Sequence, residues 1–492
     1  MRAVATLFCF LFFGLLAQAQ RFNGYIQSDY SGILSAQIQP AAIANNPYKY
    51  DLNILHGNFY VVNNIAYTRK NNEGNTGLAR YLDSGTRYAN GDVTFGGLSG
   101  LLSLKNRDAI GWHIQMRGAL TGDDITPEFI TQVGRFQTNN FANNTVSNQR
   151  GDASFGFWSE FGLTYATVLS DNGYTRWKAG ATLKFVNPLG NVWVEMDDLD
   201  YSTDQDGYAT ITNMQMQVGY SSNMDSFEQF DGTDPFSIPN GTGFRPALDF
   251  GITYESVSYR DDPKTKQGTS YYADIQYEHR LSFSITDFGK MNFSQGSASF
   301  QVLGVLPGQA TTISMDSLLT GIGSVREFRD SLSTIAQVID KRGDYTVSLP
   351  TAFNASYDYN MNNNWYFSIS TQIDLSSFMR ADYRLAYSNS VTLMPRYEVG
   401  EYGLYAPLYF NFDGDTELGL AARYGPVTIG TQSIGSLLNS EKDSMGFFFS
   451  ISINKLKANS EKPYCFGGKK TGSAYVRQER TPLYKRKKFL FF

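Results

Sequence analysis

The strongest constraint on the fold of this chain is a two-residue rhythm of apolar and polar side chains that recurs along most of its length. It is clearest over residues 346–374. There Phe353, Ala355, Tyr357 and Tyr359 alternate with Ala352, Asn354, Ser356 and Asp358. Five residues later Trp365, Phe367, Ile369, Thr371 and Ile373 alternate with Tyr366, Ser368, Ser370, Gln372 and Asp374. Side chains of a strand point to opposite faces in turn, so each run has one greasy and one wet face. The Asn-rich stretch 360–364 between them suits a tight turn, because Asn tolerates left-handed backbone. Similar runs place Leu248, Phe250, Ile252 and Tyr254, then Ile275, Tyr277, Leu281, Phe283 and Ile285, then Phe447, Phe449, Ile451 and Ile453 on apolar faces. Fourteen strand-like runs are expected, at about 52–67, 91–104, 109–120, 152–168, 174–190, 245–260, 270–287, 346–359, 363–377, 388–399, 401–411, 415–424, 426–433 and 443–453.

Composition decides what those faces meet. Aromatic residues make up 15% of the chain and charged residues only 18%. The face opposite the aromatic one carries mostly Gly, Ser, Thr, Asn and Gln with isolated charges, whereas a soluble sandwich usually presents a charged outer face. A lipid-facing exterior around a wet lumen explains both faces. Arg2, the apolar run 3–16 and Ala17-Gln18-Ala19 read as a secretory signal peptide over 1–19. That run is too short to span a membrane as a helix. Only Cys465 would remain after cleavage, which excludes an internal disulfide framework. Short and long connections also alternate along the chain, as they do where periplasmic turns are short and external loops long. The expected fold is an all-β, transmembrane antiparallel barrel of about 14 strands over residues 52–453, in the bacterial outer membrane and in contact with its lipid. The pairs of alternating runs within 192–220 (Met214, Met216, Val218, Tyr220) form an external hairpin, or raise the count to 16.

The remaining segments have other roles. Residues 20–51, rich in Pro and small residues, suit an irregular plug. Residues 314–341 place Leu318, Leu319, Ile322, Val325, Phe328, Leu332, Ile335 and Val338 at helical spacing, so one external helix is expected. Residues 454–492 carry 11 Lys or Arg against 2 acids on a chain of net charge −5. In a secreted protein this is a basic periplasmic tail rather than a nucleic-acid patch, despite Lys485-Arg486-Lys487-Lys488. Its aromatic end, Phe489-Leu490-Phe491-Phe492, is similar to the ending read by barrel-assembly machinery. Asp198, Asp200, Asp204 and Asp206 offer oxygens to calcium, but the run lacks the Gly and Glu that a calcium loop needs; no metal and no cofactor are expected. Of the three histidines, His56, His113 and His279, only His279 shares an apolar face. It has no nucleophile beside it, so no enzyme is expected. Arg117, Glu160, Lys184, Glu255, Arg280, Asp358, Asp374, Arg396, Glu398 and Arg423 fall on the polar faces. Their mixed signs suit either pairing across the bore or solvation of a wet interior.

Gln39-Pro40-Ala41-Ala42-Ile43-Ala44 resembles the Asn-Pro-Ala hatch segment of FadL-type outer-membrane transporters, with Gln39 in place of the usual Asn. Leu349-Pro350-Thr351 followed by Asn354-Ala355-Ser356-Tyr357 is similar to a strand-entry pattern of the same superfamily. Asp249-Phe250-Gly251-Ile252-Thr253-Tyr254 and the run from Arg423 to Gly430 resemble uncharacterised Bacteroidota outer-membrane barrels. The resemblance implies a plugged 14-stranded barrel, with Gln39, Pro40 and Ala41 in the plug, and uptake of a small hydrophobic ligand. The alternative is a non-conducting structural or assembly protein that shows its long loops to a surface partner.

Overall fold

A computed structural model of the chain describes residues 25–70, 76–80, 85, 87–104, 107–126, 145–172, 174–205, 208–227, 239–257, 277–306, 312–313, 323–362, 364–412, 416–435, 441–442 and 444–456. The leader, nearly all of the basic tail and Ile275 lie outside the described residues. Fourteen strands form the wall: β1 (Tyr48–Asn63), β2 (Arg87–Ser103), β3 (Ala109–Ile125), β4 (Gly151–Asp171), β5 (Thr175–Thr203), β6 (Arg245–Val257) and β7 (Tyr277–Ser294). They continue with β8 (Ala352–Asn362), β9 (Trp365–Asp374), β10 (Ser390–Val399), β11 (Tyr402–Tyr405, resuming at Leu408–Asn411), β12 (Thr416–Leu418, resuming at Leu420–Tyr424), β13 (Val427–Thr431) and β14 (Ser444–Leu456). Each strand pairs antiparallel with its neighbours in sequence, and β1 pairs with β14 from Tyr48↔Leu456 to Val62↔Ser444. The sheet is therefore a closed barrel.

The alternation seen in the sequence becomes an outside and an inside. Phe95, Ile114, Leu163, Phe250, Phe283, Ile369, Ile429 and Phe447 are exposed on the outer surface, while Asp92, Lys184, Asp249, Ser282, Asp358, Ser368 and Ser450 are buried. A belt of bare aromatic and aliphatic side chains around a polar interior is the inverse of a soluble protein and suits a hydrocarbon solvent. Asn364, in the β8–β9 turn, has φ 69°, the left-handed conformation expected of that Asn-rich stretch.

Three expectations change. The run 346–359 is two strands, because Leu349-Pro350-Thr351 interrupts it: Asp344–Ser348 pairs with the outer end of β7, and β8 begins at Ala352. The helix expected over 314–341 is one short helix, Val325–Leu332, capped by the Ser324 side chain, and Val338 lies in a strand, Ala336–Asp340. Its early apolar positions, Leu318, Leu319 and Ile322, lie outside the described residues. Tyr277 points inward rather than sharing the outer face of Leu281: its hydroxyl donates to Asp358 at 2.6 Å. A register shift beside Val257 allows the change of side.

β5 runs for 29 residues, whereas about 9–11 cross a bilayer. Its outer half pairs with the strand Ala209–Tyr220, which pairs with Phe300–Val305, which pairs with Ala336–Asp340. The runs in 192–220 are thus an external extension and not a fifteenth and sixteenth wall strand. Met196, Leu199, Ile211, Met214, Phe300, Val302 and Leu332 give it a core of its own.

Residues 25–47 lie inside the barrel as three short 3-10 turns, Tyr25–Gln27, Asp29–Gln37 and Pro40–Ile43. Ile33, Leu34, Ala36, Ala41, Ile43 and Ala44 are all buried. Gly32 makes the kink within the second: its φ is 60° and a Cβ there would overlap the Asp51 carboxylate, which accepts the Ile33 N–H at 3.0 Å. The third turn presses on the wall at Gly180, where a Cβ would stand 2.5 Å from the Pro40 carbonyl carbon. Gly180→Val should therefore push residues 39–41 off β5 and β6. The expected result is lost heat resistance of the folded band on a gel, or new protease cleavage within residues 25–47; unchanged behaviour in both would refute the contact.

Candidate functional site

The lumen is organised by a β-bulge. Thr286 and Asp287 of β7 together face the single residue Asp249 of β6, where the register slips between Leu248↔Phe288 and Phe250↔Ile285. Asp287 takes φ 58°, and both bulged side chains are buried. Extra residues of this kind re-aim a side chain. Here the Asp287 carboxylate accepts two bonds from Arg117, at 2.9 and 3.2 Å, and one from Lys184 at 2.7 Å. Lys184 also pairs with Asp249 at 2.8 Å, and Asp249 accepts the Asp287 N–H at 2.7 Å. Glu160 completes the group, meeting Arg117 at 3.2 Å and the indole N–H of Trp158 at 2.9 Å. The side chains of Arg117, Glu160, Lys184, Asp249 and Asp287 are all fully buried. Charges in such a place persist only when each is paired and hydrogen-bonded.

A second group holds the inner segment to the wall. Asp29 accepts from Arg280 at 2.5 Å and from Tyr277 at 3.1 Å. Arg280 reaches Asp358 at 2.7 Å, and Arg396 bonds both oxygens of Asp358, at 2.6 and 2.9 Å. Arg396 also meets Glu398 at 3.0 Å, to which the Ser28 hydroxyl donates. Gln27 donates to Ser370 at 2.5 Å, Ser284 to the Ile38 carbonyl at 2.5 Å, and Gln39 to the carbonyls of Ile252 and Phe283 at 3.2 and 3.1 Å. Toward the periplasmic end, Glu255 pairs with Lys178 at 2.5 Å and Arg176 at 3.0 Å. Arg423 lies over the ring of Tyr30, 4.4 Å from its centre.

The sequence-derived residues thus separate into Arg117, Glu160 and Lys184 in the bulge group and Arg280, Asp358, Arg396 and Glu398 in the segment-holding group. Asp374 joins neither. It caps a turn at the outer rim, accepting the Ser376 N–H at 3.0 Å, since β9 ends there and its last side chain has no bore to face. Asp29, Asp249, Asp287, Tyr277 and Tyr387 were missed as functional candidates. Asp249 shares the polar parity of Glu255, opposite Leu248 and Phe250, but the bulge that recruits Asp287 breaks the alternation and leaves no periodic signal. The acidic residues of the outer loop do not converge: Asp198 accepts from Asn213, Asp200 from the Asn148 N–H and Asp204 from the Tyr208 N–H, while Asp206 lies outside the described residues. His279 is half exposed on the outer surface, bonded to the Tyr357 hydroxyl at 2.8 Å and stacked on Tyr359.

Residues 379–387, which the alternation of connection lengths places in an external loop, fold into the mouth. Tyr383 stacks on Trp193 with ring centres 4.1 Å apart, and Tyr345 packs edge-on against both. Deeper, Tyr387 accepts from Arg117 at 2.5 Å, and Thr121 accepts the Ala386 N–H at 2.7 Å. The lumen is therefore closed by residues 25–47 on one side and by 383–387 on the other. Between them lies a cavity of about 90 Å³. Its wall comes from β5 to β10 and from the segment before β10, while residues 26–46 form its other side. The opposite half of the barrel, β1 to β4 and β11 to β14, supplies no lining residue among those described.

Residues 40–432 match the DUF5723 family, a family of unknown function. The chain belongs to that family. No curated protein matches the sequence. Among solved structures it is similar to the Ralstonia pickettii toluene transporter TbuX, with 9% identity over 87% of this chain and 94% of that one and a TM-score of 0.37. It is similar to a Pseudomonas aeruginosa FadL homologue, with 12% identity over 85% and 93% and a TM-score of 0.37. It is also similar to the P. putida toluene transporter TodX, with 11% identity over 86% and 94% and a TM-score of 0.32. The barrel assignment rests on the strand pairing of this DUF5723 member itself.

Two measurements test the electrostatics. Asp287→Ala leaves Arg117 and Lys184 short of a partner, a loss of about 3–5 kcal/mol for a broken buried pair; Asp374→Asn, at the rim, should cost under about 1 kcal/mol. Equal melting of the two variants would refute the hub. In the external extension, burial and the nearby Asp152 charge push the Glu195 carboxyl up to about 7, against the pull of Lys341. A carboxyl raised by folding favours the fold while protonated, so its contribution is present at pH 4 and lost as pH rises through about 7. Glu195→Gln should melt higher than the parent at pH 8 and match it near pH 4. A constant difference across that range would refute the assignment.

Proposed function

We propose that this protein is a transport barrel of the bacterial outer membrane with a closed lumen, and that residues 25–47 are the element that moves. The observation that carries this reading is the one-sided seating of that segment. Most of its apolar side chains pack on strands away from the cavity: Tyr25 and Leu34 meet Tyr405, Ala421 and Phe448, and Ile33, Ala36, Ile43 and Ala44 meet Leu101, Ala109 and Ala166. Toward the cavity it is held mainly by hydrogen bonds and the Asp29–Arg280 pair. Polar contacts in a hydrated bore exchange with water at small net cost, so the cavity side is where a path opens first. The outer belt of apolar side chains supports the membrane setting, and the resemblance of Gln39-Pro40-Ala41 to a hatch segment supports the mobile role.

A barrel that only displayed its external extension to a partner would have no use for a cavity behind a polar latch. That alternative is separated by conductance. The double variant Asp29→Asn, Arg280→Gln removes the latch and leaves Asp358 paired with Arg396. In proteoliposomes it should pass small solutes faster than the parent, with heat-resistant gel migration kept as the control for folding. No flux through either form would overturn the transport reading.

A further inference from the structure

The strand register places five hydroxyls side by side across the cavity wall. Thr253 faces Ser282, Ser282 faces Ser356, Ser356 faces Ser370, and Ser370 faces Thr392, on β6, β7, β8, β9 and β10 in turn. Neighbouring strands lie about 4.8 Å apart, so the row is a ladder of hydroxyls at regular spacing. One step toward the outside runs a second polar row, Ser284, Asn354, Gln372 and Ser390. One step toward the periplasm the register gives Glu255, Arg280, Asp358 and Ser368, whose charges are already paired. All five residues of the ladder line the cavity.

The ladder is not consumed by the protein. Thr253 and Ser282 bond to one another at 3.1 Å, and Ser370 accepts from Gln27. Among the described residues, the Ser356 and Thr392 hydroxyls make no hydrogen bond with the protein, although Thr392 is 4% exposed. The side-chain amide oxygen of Gln27, buried in the segment on the opposite side of the cavity, has no partner either. Two free hydroxyls in a space lined by polar side chains ask for a ligand that both donates and accepts. A hydrocarbon there would strip water from them and return nothing. An ion would find charges that already neutralise each other. A cavity of about 90 Å³ suits a small molecule.

We propose that the transported solute is small, uncharged and rich in hydroxyl groups, and that the Thr253–Ser282–Ser356–Ser370–Thr392 ladder recognises it. This rests on the transport reading above and departs from the hydrophobic ligand that the hatch resemblance implies. Hydroxyls of a polyol bond to Ser356 and Thr392, and the ladder offers the next hydroxyl one strand along.

The probe is glycerol, with toluene and gluconate as the apolar and charged comparisons. Two measurements are made on the full-length mature protein: flux into proteoliposomes carrying Asp29→Asn, Arg280→Gln, and saturation-transfer NMR of glycerol on the parent in detergent. Glycerol should pass the latch variant faster than gluconate, and saturation should reach glycerol from the protein. Adding Ser356→Ala and Thr392→Val should lower both signals by roughly fivefold or more, the loss of about one net hydrogen bond, while gel migration stays folded. Glycerol contact in the NMR measurement without flux would keep the solute class and remove the transport reading. Flux of toluene or gluconate in preference to glycerol, or glycerol signals indifferent to the ladder substitutions, would overturn the solute class. Neither flux nor contact would overturn both.

Discussion

A backbone amide in hydrocarbon has no water to bond, and everything else in this molecule follows from that. An open sheet would leave a row of N–H and C=O groups unpaired at each edge, at several kcal/mol apiece. The β1–β14 seam, paired over nearly the whole length of both strands, removes the edges. Closure then fixes the two faces of every strand at once, because each residue must point either to lipid or to the bore. The barrel also encloses a volume that must be filled, wetted or lined with charges that satisfy each other.

This chain uses all three solutions in different places. Small apolar side chains of residues 33–44 fill one half of the bore. Aromatic rings fill the outer mouth around Trp193. The centre is held by charge, with Asp287 bonded to Arg117 and Lys184 where no side-chain surface reaches solvent. Such groups are poor sources of net stability but strong sources of specificity, since a one-residue slip of β7 would leave several of them unpaired. The bulge at Asp287 is the point where regular geometry yields to that requirement. Hydroxyls line the remaining space, and that is where a solute would find partners.

Legibility followed periodicity. Strands such as β9 and β14, whose apolar and polar residues alternate without interruption, could be read within a few residues of their ends. So could the inward placement of Arg117, Lys184, Asp358 and Arg396, because each shares the parity of its small polar neighbours. Tyr277 and Asp287 could not, because each stands at a register shift where parity reverses. The helix over Val325–Leu332 was overextended for a related reason: Ile335 and Val338 continue a helical spacing by coincidence, and the pairing of Ala336–Asp340 with Phe300–Val305 overrides it. Residues 383–387 carried no sign of entering the bore, since nothing local distinguishes an inward segment from a loop in water.

By itself the sequence determined the class of fold, because alternation of aromatic and small polar residues over fourteen runs leaves a lipid-facing barrel as the solvent arrangement that suits both faces. It also determined which faces carry charge. Only the tertiary structure decided which charges meet, where the wall slips its register, and that the outer mouth is closed from within. Those are relations between residues far apart in the chain, such as Asp29 with Arg280 or Ser282 with Ser356. A period of two specifies the direction of each side chain, whereas its neighbour across the sheet depends on pairing that no single strand contains.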